Sequence, residues 1–137
     1  MATTAQFTAQ PIIDVAQVTT ANTNRDGTGT IVTVATGPST AAAAGVGKRV
    51  NRVVVQATGT TTAGVVRFFI STDGGTTNRL ILEKIVPAIT PSTSVAAFRS
   101  DVGELVGLVL VGGGNSTLRA STNNAETFNI MVESGLL

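Results

Sequence analysis

Gly64-Val-Val-Arg-Phe-Phe-Ile-Ser-Thr-Asp-Gly-Gly-Thr-Thr-Asn-Arg-Leu-Ile-Leu-Glu-Lys-Ile-Val86 places two apolar runs on either side of Thr72-Asp73-Gly74-Gly75-Thr76. Val, Ile and Phe suit a pleated, half-buried backbone. Asp-Gly is a strong hairpin signal, because a tight turn needs positive φ at its centre. The spacing predicts strands over Gly64–Ser71 and Arg79–Val86, paired antiparallel.

The same rhythm continues outward in both directions. Strand signals recur every ten to fifteen residues, separated by clusters of Gly, Asn, Asp, Pro and Ser. They fall at Ile12–Thr19, Thr28–Thr36, Arg49–Ala57, Val95–Arg99, Leu105–Val111, Thr117–Ser121 and Thr127–Glu133. The single helix-favouring run, Ala41–Ala44, is too short to persist and is fenced by Gly37-Pro38 and Gly45-Val46-Gly47, so it reads as a loop. Pro87 and Pro91 cannot donate to a sheet ladder, which makes the segment between them an edge or a crossover. Leu105–Val111 is β-prone and uncharged; it requires either a central position in a sheet or burial against another subunit.

These signs give an all-β fold: an antiparallel two-sheet sandwich, jelly-roll-like, of eight or nine short strands, with an immunoglobulin-like sandwich as the rival. The chain's 137 residues make one domain, 11–137, preceded by an arm over 1–10.

Composition removes most chemistry. The chain has no His, Cys, Trp or Tyr, so imidazole bases, thiolate nucleophiles, disulfides and the usual transition-metal ligands are missing. Nine Lys and Arg against eight Asp and Glu leave a net charge of +1, and no basic field exists to gather nucleic acid or anionic lipid. No apolar window is long enough to span a membrane, and the first ten residues lack the pattern of a secretory signal.

Gly45-Val46-Gly47-Lys48 fails the Walker pattern, with Ala42 and Arg49 where Gly and a hydroxyl residue are needed. Asn22-Thr23-Asn24-Arg25-Asp26-Gly27-Thr28-Gly29-Thr30 could set Asp26 beside carbonyl oxygens for a cation, but lacks the EF-hand spacing and reads better as a structural turn. The eight carboxylates are scattered, and no aromatic platform for a sugar accompanies them. No catalytic residue, metal ligand or cofactor is therefore expected, and an enzyme is not.

What remains is surface. Only 12% of residues are charged, about half the share in an average domain, and roughly one residue in six is Thr. A sparsely charged, near-neutral protein tends to self-associate, so obligate assembly is expected. Arg49, Arg52 and Arg67 lie in strands and read either as solvated side chains or as donors to a carboxylate or carbonyl across a subunit boundary. Phe68, Phe69, Phe98 and Phe128 are expected in the core. Phe7 is the apolar anchor of the otherwise polar arm, which is expected to lie across an adjacent subunit.

Asn22 to Val34, Arg49-Val50-Asn51-Arg52-Val53, Gly59 to Ile70 and Leu118 to Ile130 together resemble a group of small virion proteins of tailed bacteriophages. The resemblance runs over most of the chain from about Asn22. It implies a β-sandwich that forms a homo-oligomer, often a trimer, and acts as a head decoration or cement protein bound to the major capsid protein on the capsid surface. Related small jelly rolls also serve in tails, collars and fibres, and a carbohydrate-binding adhesion module is a further alternative. One departure is Gly112-Gly113-Gly114, where the pattern leads one to expect a stiffer, proline-containing connection.

Overall fold

The structure is a computed structural model, and it describes residues 10–39 and 47–137. Among the described residues nine strands form two antiparallel sheets: β1 (Gln10–Val18), β2 (Val32–Thr36), β3 (Gly47–Ala57), β4 (Gly64–Ser71), β5 (Arg79–Val86), β6 (Arg99–Asp101), β7 (Val109–Val111), β8 (Thr117–Thr122) and β9 (Phe128–Leu136). The predicted hairpin is present, with β4 and β5 paired antiparallel. Its connection is longer than a two-residue turn. Gly74 and Gly75 take positive φ, at 77° and 99°. Asp73 Oδ1 accepts from Thr77 N–H at 2.9 Å and from the Ser71 hydroxyl at 2.8 Å, while Ser71 Oγ accepts from Gly75 N–H at 2.8 Å.

Those bonds to the charged form, the Thr77 amide first and the Ser71 hydroxyl second, lower the Asp73 carboxyl from 3.8 to about 2. A carboxyl whose folded value is depressed stabilises the fold above its unfolded value and loses that contribution as pH falls through the folded one. Stability is therefore expected to decline between pH 3.8 and about 2. Asp73→Asn should flatten that decline, as read from thermal midpoints across the window; equal slopes in both proteins would contradict the assignment.

The remaining strands nest around this hairpin: β1 pairs β9, β2 pairs β8, and β3 pairs β6 and β7. Successive pairs alternate between sheets. One sheet runs β1-β9-β3 with β6 and β7 both on the far side of β3, and the other runs β2-β8-β4-β5. This is the jelly-roll order; an immunoglobulin sandwich would keep its first two strands side by side in one sheet. Alternation along each strand turns Val53 and Val55, Val66 and Phe68, Leu118 and Ala120, and Ile130 and Val132 into the space between the sheets, all fully buried.

Some expectations shift in detail. Residues 28–31 are irregular, because Asn22 takes the Thr28 and Thr30 carbonyls through its side-chain amide at 2.9 and 3.0 Å. Residues 95–98 are likewise outside the strand, which starts at Arg99. Leu105–Val111 is not a central strand: it begins in a 3-10 turn, buries Leu105 and Leu110, and ends in the short β7 at the edge of β3. The glycine-rich departure is ordered, since Gly113 and Gly114 adopt positive φ and donate to Pro38 O at 2.8 and 2.9 Å. The Ala41–Ala44 loop lies outside the described residues.

Candidate interaction surface

The outer faces of the two sheets are treated differently. In the second sheet, alternation turns Arg67, Phe69 and Arg119 away from the core. The connection between β1 and β2 lies across them as a strap. Ala21 bridges Thr122, and Asn22 N–H donates to Thr122 O at 2.8 Å. Arg67, only 2% exposed, donates through Nε to Glu83 at 2.9 Å, through Nη1 to Asn22 O at 2.9 Å and through Nη2 to Asn123 Oδ1 at 3.0 Å. Arg25 of the strap reaches the same carboxylate at 3.0 Å. Arg119 reaches Ile31 O at 2.9 Å, Thr33 Oγ1 at 3.1 Å and Asn78 Oδ1 at 3.0 Å.

Asp26, the one carboxylate of the strap, is spent on its own turn. It accepts from the Thr28 hydroxyl at 2.6 Å and from Thr28 N–H at 3.1 Å, which hold it below the ordinary carboxylate value. Among the described residues no group of three or more acidic side chains is placed to hold a metal ion.

The outer face of the first sheet has no such strap among the described residues. Register across β1, β9 and β3 aligns Val15, Met131 and Val54 in one row, and Ile13, Glu133 and Arg52 in the next. Ile13 and Val15 stand 66% and 65% exposed, whereas Val54 is sheltered within the sheet. Arg52 pairs with Asp101 at 3.2 Å in the open. Arg49 is on the same face beside Val109, which together with Val111 leaves the β7 edge apolar and exposed. A bulge between Val50 and Arg52 keeps both arginines outward. The strands are tied beneath this face by Lys48, whose ammonium is buried and bonds Asp14 Oδ2 at 2.6 Å and Thr36 O at 3.2 Å.

The structure thus brings Arg49 and Arg52 together on one open sheet face and places Arg67 beneath the strap, with three acceptors from its own chain. Phe7 lies outside the described residues. Phe68, Phe98 and Phe128 join the core; Phe69 is fully buried on the opposite side of its sheet. Ile13 and Val15 were not singled out in the sequence, although the alternation Ile13, Val15, Gln17 against Ile12, Asp14, Ala16, Val18 carried the signal. A depression of about 350 Å³ beside the hairpin is lined by Ile70, Thr72, Asp73, Thr77, Arg79 and Ile81. Its carboxylate is the one already engaged by Ser71 and Thr77.

No family model matches the chain, and no curated protein matches it. Among solved structures, a chain of the cyanophage Pam1 capsid asymmetric unit is similar over 98% of this chain and 90% of that one, at 15% identity and a TM-score of 0.48.

Proposed function

We propose that the protein is a structural subunit of a phage virion, a capsid decoration or cement protein that oligomerises and binds the lattice of the major capsid protein. The observation that carries this reading is the contrast between the two outer faces. One is covered over β4 and β8 by the chain's own strap, with Ile81 and Ile85 of β5 left exposed beyond it, and the other has no strap among the described residues: it leaves Ile13 and Val15 about two-thirds exposed on β1, with Arg49 and Arg52 on the same face across β9. A face of that kind fits a protein partner: an apolar centre with few charges loses little on desolvation, and arginine forks at its rim supply orientation. The absence of His and Cys and the engagement of Asp73 and Asp26 within turns support a role in assembly rather than in catalysis.

A cement protein works by bridging joints between capsid subunits. Stable interfaces bury roughly 1,200–2,000 Å², and many copies on one shell add avidity. The purified chain is expected to bind shells built from the major capsid protein of the same phage saturably and to raise the temperature at which they rupture. Failure to bind would contradict the decoration role.

Arg49, Arg52 and the arm with Phe7 are assigned to the contacts between subunits. Deleting residues 2–10 should leave a folded sandwich, by circular dichroism, with weakened oligomers or reduced shell binding. Undiminished assembly of the truncated protein would count against the arm.

A further inference from the structure

Strands at the borders of a sheet present unpaired N–H and C=O groups, and proteins guard them with brevity, bulges, charge or proline. Here β6 and β7 are three residues each. β2 has five residues and a bulge against β8. β5 carries Arg79, Glu83 and Lys84, meets β4 through a bulge and ends at Pro87. β1 is guarded less: its proline, Pro11, stands next to its first residue and its one charge, Asp14, lies on the inner face bound to Lys48. It pairs with β9 in unbroken register over nine residues, and beyond Pro11 its outward row is Ile13, Val15 and Gln17, without a charge. Among the described residues no strand pairs with its other edge.

We propose that β1 is a two-fold seam, pairing antiparallel with β1 of a second copy so that two sheets become one. The proposal rests on the reading of the chain as an assembly subunit and names the contact. The strand is complementary to itself. Centred on Asp14, the pairing sets Ile13 against the second copy's Val15 and Val15 against its Ile13. These pairs continue the apolar row through Met131 and Val54. The two Asp14 carboxylates that meet on the inner face each keep a Lys48 ammonium at 2.6 Å, so neither is an uncompensated charge. A net charge of +1 adds little long-range repulsion, and two-fold dimers are the commonest homo-oligomers. In this register Gln10 lies opposite the second copy's Val18. The free protein is then a dimer and not the trimer that the resemblance implies.

Native mass spectrometry of the full chain and of the Ile13→Lys/Val15→Lys double variant tests this. Lysine on the outward row sets like charges opposite one another across the seam and leaves the monomer's core untouched. The expected masses are two chains of 13.8 kDa for the native protein and one for the variant, with unchanged circular dichroism. Ile85→Lys, on the other long edge, is expected to stay dimeric. Amide exchange along β1 in the native protein should slow as concentration rises, a readout that needs no variant. A native mass of three chains, a double variant that remains dimeric, or β1 exchange independent of concentration would overturn the seam. Shell binding distinguishes the two levels: binding that persists without the seam leaves the decoration role standing, and a confirmed dimer that ignores shells removes that role alone.

Discussion

Arg67→Ala is expected to destabilise the protein by about 3 kcal/mol, because removing one member of a buried ion pair leaves the other group uncompensated. The guanidinium is almost wholly enclosed, and its Nε, Nη1 and Nη2 each hold a different acceptor: Glu83, the Asn22 carbonyl and Asn123. Truncation strands the last two under the strap and leaves Glu83 only its partly exposed contact with Arg25. The figure sits at the low end of the range for buried pairs because Glu83 keeps 29% of its side-chain exposure. Arg67→Lys should restore only part of the loss, since an ammonium does not reproduce a planar fork of donors. Urea unfolding checks both variants: a lowered midpoint is expected, and an unchanged midpoint for Arg67→Ala would show that the strap is not pinned from below.

Phe128→Ala is expected to cost about 3–5 kcal/mol, the range for removing a buried aromatic ring. Phe128 opens β9 opposite Val18 of β1 and Ala57 of β3. Its ring meets Phe98 edge-on, with centroids 6.5 Å apart and planes at 85°. The Phe98 carbonyl accepts from Ala57 N–H at 2.8 Å, so this ring pair joins the proline-marked connection to the core. Phe128→Leu fills most of the volume and should lose far less. A domain's whole stability is typically about 5–15 kcal/mol, so the alanine variant is expected to be close to unfolding at 37 °C. A loss under about 1 kcal/mol would contradict the packing described for this ring.

Much of the fold was legible because β-patterning is local. Alternation and turn residues located β3, β4, β5 and β8 closely, and Asp73-Gly74 identified the hairpin around which the other strands nest. The strap was not legible. Its segment reads as a turn, but only the register of β4 against β8 puts Arg67 and Arg119 beneath it, and that register is a long-range property. Phe69 shows the same limit: hydrophobicity says that it is buried, and only the fold shows that it is buried on the outward side of its sheet, opposite Arg119 of β8. In sequence Arg67 reads either as a solvated side chain or as a donor across a subunit boundary; the structure gives its fork three acceptors from within the chain. For the open face, Arg49 and Arg52 were visible in sequence. Their joining with Ile13 and Val15 required the β1-β9-β3 order, which no stretch of residues encodes alone.

We propose above that this chain is a component of a particle, shaped to touch protein neighbours. Quantitative mass spectrometry of purified virions tests it most directly. The expected result is the intact chain at a fixed ratio to the major capsid protein, in hundreds of copies per particle. Its absence from purified particles would contradict the account.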